Sequence, residues 1–126
     1  MGMAVSKNKL AVSARNEVTV LRNRPELAST YPNKKGVYDG IYIPGTIYNT
    51  GYLALHDMEF INDKLTAVNT LFSCLSYIDG MYSFTPFWQP PFISELTPDD
   101  RCHLNGIAVE NNKIKYLTAH GDTNTS

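Results

Sequence analysis

Met58-Glu59-Phe60-Ile61-Asn62-Asp63-Lys64-Leu65-Thr66-Ala67 reads as a short apolar strand, a polar turn and a second apolar strand, and the chain carries this pattern three times. Met3-Ala4-Val5-Ser6-Lys7-Asn8-Lys9-Leu10-Ala11-Val12 aligns with it at an offset of 55 residues. Ile107-Ala108-Val109-Glu110-Asn111-Asn112-Lys113-Ile114-Lys115-Tyr116 follows at a further 49. Asn and Asp at the turn tolerate the backbone that a tight connection requires. A strand-built repeat of about 40–50 residues is the mark of propeller blades.

Outward from the middle copy, Leu55 to Ile61 predicts an inner strand, Leu65 to Asn69 a second and Ser73 to Ile78 a third. Asp79-Gly80 is the expected hairpin turn, with an outer strand over Tyr82 to Trp88 ended by Pro90-Pro91, which cannot donate to a ladder. The first copy continues through Leu10–Arg15 and Glu17–Leu21, passes a long insert, and expects its outer strand at Tyr38–Pro44. Helical spacing is confined to Pro25–Ser29. The fold class is therefore all-β: a partial β-propeller of about two and a half four-stranded antiparallel blades, with blades at 1–54 and 55–101 and an incomplete blade at 102–126. Closed propellers take roughly four to eight blades. The expected partners are accordingly missing propeller blades or other copies of itself, and the chain alone is expected to be unstable or self-associating.

Composition fits one globular domain: 126 residues, 43% hydrophobic and 18% charged. A net charge of −1 gives no global field toward nucleic acid or membrane, and no basic stripe alternates with aromatics. Residues 1–35 hold seven basic side chains against two acidic, and the remainder four against ten. That asymmetry fits solvated loops, or complementary contact between blade faces. No apolar run approaches the ~20 residues of a membrane helix and no secretory leader follows Met1, so the expected location is cytoplasmic. Cys74 and Cys102 make no disulfide framework; Cys74 reads as a small core residue. Cys102 and His103 are adjacent on an expected strand, where side chains diverge, which argues against a nucleophile–base pair.

Propellers point the start of each inner strand toward the central channel. At the 49-residue offset His56 is equivalent to Asn105 and Asp57 to Gly106. His56, His103 and Asn105 are therefore the candidate ligand-binding residues, converging at one mouth of the channel. Asn105 and His56 are the candidate metal ligands, for a hard cation through oxygen or a transition metal through imidazole. The same groups would equally serve to hold blades together by hydrogen bonds. His120-Gly121 reads as a turn, and the aromatics Tyr82, Phe84, Phe87 and Trp88 as packing between blades. No phosphate loop, Cys-x-x-Cys pair, His-Glu-x-x-His or nucleophile elbow occurs.

Three long runs, His56–Phe60, Ala67–Leu75 and Tyr82–Ser94, resemble a bacterial family of conserved hypothetical proteins catalogued as a domain of unknown function. Pro98–Ala108 and Asn16–Asn23 match the same pattern, so the resemblance covers nearly the whole chain. More distantly, Leu104-Asn105-Gly106-Ile107-Ala108 is similar to a blade start in six-bladed propellers of the gluconolactonase and strictosidine-synthase kind. That similarity implies a divalent cation such as calcium held by Asn105, although Leu104 stands where a Pro is usual. Two functions follow: an uncharacterised propeller-type binding or scaffold module for a small-molecule or protein ligand, or a metal-dependent hydrolase or lactonase with a channel-mouth cation. The scarcity of clustered carboxylates favours binding.

Overall fold

A computed structural model describes residues 1–125, and the chain folds almost entirely as antiparallel β-structure. The first sheet contains β1 (Met3–Ser6), β2 (Lys9–Ser13), β3 (Glu17–Asn23) and β4 (Tyr42–Asn49), hydrogen-bonded in that order. The second contains β5 (Leu55–Ile61), β6 (Lys64–Asn69), β7 (Cys74–Tyr77) and β8 (Thr85–Trp88), again in chain order. The third is the hairpin of β9 (Leu104–Glu110) and β10 (Lys113–Ala119). One helical turn, α1 (Pro25–Ala28), begins the insert between β3 and β4. The three inner strands fall on the three copies of the repeat, and the turns confirm their chemistry. Asn62, Asp63, Asn111 and Asn112 all hold φ between 49° and 64°, the left-handed region these side chains tolerate.

The sheets lie face to face in a propeller-like stack, and the repeat explains which face goes where. Met58 pairs with Ala67 and Phe60 with Leu65 on the side of the second sheet that meets the first. Against them pack Ala4, Ala11, Val18 and Val20, small residues that let the sheets approach. Val68, Leu75 and Leu104 form the next layer with Ile107, Ile114 and Leu117 of the third sheet. Thus Ile107 faces the second sheet as its equivalent Met58 faces the first. The equivalents in the first copy, Met3 and Val5, face outward, each 59% exposed, on the same face of the sheet as Ile47 at 60%.

Two strands differ from expectation. The outer strand of the first sheet is Tyr42–Asn49 and not Tyr38–Pro44. Asn23 Oδ1 accepts from Ile41 N, and Ile41 O accepts from Arg24 N, which anchors the returning chain there. Pro44 is tolerated because β4 is an edge strand and a bulge between Val20 and Leu21 interrupts its register. After β7, Gly80 takes φ +82° as a turn glycine should, but the connection runs from 78 to 84 and not as a two-residue hairpin. Asp79 Oδ1 accepts Met81 N there and shapes the loop locally. The expected aromatic group splits: Phe84 packs on the core and against Phe72, Phe87 stacks on Tyr77, and Tyr82 is exposed.

Candidate functional site

At the hairpin end of the stack, successive turns touch: Lys9 pairs with Asp63, and Asn112 Oδ1 accepts Asn62 N at 3.4 Å. At the opposite end, where the inner strands begin, lie His56, His103 and Asn105. What brings His56 and Asn105 together is a pair of bulges. Leu55 opposes Asn69 and Met58 opposes Ala67, so β5 carries an extra residue at His56-Asp57. Leu104 opposes Ala119 and Gly106 opposes Thr118, so β9 carries one at Asn105. Bulges re-aim side chains out of regular alternation, and here they do so at repeat-equivalent positions. His56 Nδ1 meets Asn105 Oδ1 across the two sheets at 3.1 Å, the imidazole N–H donating to the amide carbonyl.

His103 reaches the same place by another route. It precedes β9 and holds φ at 47°, a left-handed conformation, so it does not lie on the strand expected for Cys102 and His103. Its ring still packs edge-to-face on His56, with centroids 4.8 Å apart and planes at 87°. Asp100, also left-handed with φ 48°, accepts from His103 Nδ1 at 2.7 Å through Oδ2. Nothing in the sequence singled out Asp100 from its neighbour Asp99, whose carboxylate instead holds Arg101. Non-glycine residues in this backbone region store strain that surrounding structure must offset. Here Leu71 O accepts Asp100 N, and Thr70 Oγ1 donates to Leu104 O at 2.6 Å from a fully buried position.

Asp57, expected nearby as a carboxylate, turns inward to the backbone. Its Oδ1 accepts Met58 N at 2.9 Å and its Oδ2 accepts Ile107 N at 3.0 Å, tying the second sheet to the third. Glu59 is half-buried, and burial first, then the charge of Asp57, pushes its carboxyl above the ordinary carboxylate range. His120 lies close by: its N–H donates to Cys102 O and more weakly to His103 O, and its side chain is exposed.

The imidazole pair stands between two surface clefts. Arg15, Tyr52 and His56 line one of about 260 Å³, with the Arg15 guanidinium 5.5 Å from the Tyr52 ring centre. Asp100, His103, His120 and Thr123 line another of about 460 Å³. The donor set does not fit calcium, which takes six to eight oxygens. Asp57 is committed to two backbone amides, Asn105 Oδ1 to His56, and Asp100 Oδ2 to His103. Among the described residues no group of three or more His, Cys, Asp and Glu side chains is gathered as a metal site, and no helix is long and apolar enough to cross a membrane.

A family model described as a domain of unknown function (DUF4915) matches residues 1–126, and the chain belongs to that family. No curated protein and no solved structure matches it.

Proposed function

We propose that the chain is a propeller-type binding module in which His56 and His103, set by Asn105 and Asp100, receive a small ligand at the strand-start end of the stack. The observation that carries this reading is the meeting of two half-exposed imidazoles, His56 set by the matched pair of bulges and His103 by the left-handed turn before β9. Packing does not require them, since the apolar layers on either side are formed by other residues. In the neutral rings each Nδ1–H is occupied by an oxygen, so each Nε2 keeps its lone pair for a guest. The outward face of Met3, Val5 and Ile47 would receive a further sheet of the same repeat, presenting small residues as Ala4 and Ala11 do to the second sheet. The reading places the module in the cytoplasm, in keeping with two free, buried cysteines.

NMR of the imidazole protons during a screen of small polar molecules tests this. A ligand should shift the His56 and His103 resonances together and bind about tenfold or more weakly to His103→Asn, a loss typical of removing one good polar contact. A ligand whose affinity is unchanged in both His56→Gln and His103→Asn would refute the site.

The hydrolytic reading rests on one observation, the Asp100–His103 pair. A carboxylate that holds one ring nitrogen presents the other as a general base for water. On this reading lactone hydrolysis would fall at least about a hundredfold in His103→Asn, the range of general-base contributions. Turnover that survives the substitution would dismiss it.

A further inference from the structure

The two imidazoles share a feature that a simple polar pocket does not need. Each has its Nδ1 held by an oxygen of a different residue, Asn105 Oδ1 for His56 and Asp100 Oδ2 for His103. Metal-binding histidines are characteristically fixed in this way, the outer nitrogen donating to a carboxylate or carbonyl and the inner one left unprotonated. The rings also stand at a suitable separation. An ion with nitrogen ligands at about 2.0–2.1 Å in tetrahedral directions places two imidazole centroids roughly 5 Å apart, and here they are 4.8 Å apart. The chain has three histidines, and the third, His120, borders the same cleft as His103.

We infer that His56 and His103 together bind a borderline transition-metal ion of the zinc type through their Nε2 atoms. This rests on reading the imidazole pair as a ligand site, and it names the ligand's chemistry. Imidazole selects such ions over calcium and magnesium, which prefer oxygen. Asp100 and Asn105 are positioning residues, acting on the ion only through the rings they hold. The clefts on either side leave room for the remaining positions of a four-coordinate ion, to be filled by water or by a group of the guest.

Isothermal titration of the untagged chain with zinc chloride, and separately with calcium chloride, decides it. Zinc should bind with one ion per chain and calcium should not. His56→Gln and His103→Asn should each weaken zinc at least about tenfold, and Asp100→Asn about 10–100-fold, the usual loss for an outer partner. Asparagine is chosen at position 103 because it tolerates the left-handed backbone there. Cobalt substitution gives a second readout: an intense tetrahedral visible spectrum in the parent that weakens in Asp100→Asn at unchanged metal-free melting temperature. Zinc binding unchanged in both histidine variants, no zinc binding at about 1 mM, or calcium bound as tightly as zinc overturns the inference. If zinc fails while an organic ligand still shifts both imidazoles, the metal is wrong and the site stands; if neither does, both fall.

Discussion

Met58 and Met3 occupy the same place in the repeat, yet Met58 is 1% exposed and Met3 59%. Truncating each to alanine measures the packing of the stack against itself. Met58 lies between sheets whose facing residues are small: Ala4 and Ala11 oppose it, and its Cγ would stand 3.1 Å from a Cβ built on Gly2. Such neighbours have no side chain to swing into the space left behind, so little of the cavity would collapse. Met58→Ala should therefore cost at the upper part of the usual 2–5 kcal/mol, about 4 kcal/mol. Met3→Ala should cost under about 0.5 kcal/mol in an isolated chain, as exposed substitutions do. Urea unfolding followed by the fluorescence of Trp88, the chain's single tryptophan, reads both, with an unchanged slope as the sign that only stability moved. A Met58→Ala cost below about 1 kcal/mol, short of the range for a buried methionine, would refute the packing. Equal costs at both positions would mean that the Met3 face is covered in solution.

Asp57→Ala removes the acceptor for Met58 N and Ile107 N and should destabilise by about 1–3 kcal/mol, the cost of leaving such groups without partners; stability unchanged in urea would show that the sheets do not depend on it. Glu59→Gln should stabilise the chain at pH 7. A carboxyl whose folded pKa is raised gives stability that is present in acid and lost as pH rises through that value, so the advantage of Gln should vanish in acid, below the ordinary glutamate range. A gap between the two proteins that widens on acidification, measured by urea midpoints, would reverse the sign. Neither Cys74 nor Cys102 should react with a thiol reagent until the chain unfolds, because both are buried and burial pushes the Cys74 thiol upward; rapid labelling of the native chain would contradict their placement in the core.

The architecture was legible because the repeat puts the same strand–turn–strand grammar in three places, and turn chemistry at Asn62-Asp63 and Asn111-Asn112 fixes hairpin registers locally. The outer strands were less so. Tyr38–Pro44 and Tyr42–Asn49 both carry β-prone apolar residues, and the choice between them falls to the hydrogen bond that Asn23 Oδ1 accepts from Ile41 N, which no local pattern encodes. The meeting of His56 with Asn105 followed from their shared offset, but the means did not. Period-two alternation assigns His56 and Asp57 to opposite faces, whereas a bulge breaks that alternation at both sheets. His103 packs beside His56 from a left-handed turn that strand alternation does not describe, with Asp100 on its Nδ1.

The positions equivalent to Asp57 show why site and scaffold are one structure. In the first copy the place belongs to Gly2, and a Cβ there would press within 3.1–3.2 Å of the Asp57 backbone. In the third it belongs to Gly106, where a Cβ would meet Thr118 Oγ1 at 3.2 Å and Asp57 Oδ2 at 3.6 Å. Glycine at position 2 thus lets β1 lie close to β5, whereas the tight neighbour of Gly106 is Thr118 of its own hairpin and Asp57 Oδ2 lies at ordinary contact distance. The hydrogen bond that Asp57 Oδ2 accepts from Ile107 N holds β9 against β5 at the bulges. That contact fixes how far apart the two sheets stand at the end where His56 must reach Asn105. A side chain at Gly2 would press β1 away from β5. The repeat supplies equivalent positions, and the bulges at those positions bring His56 to Asn105.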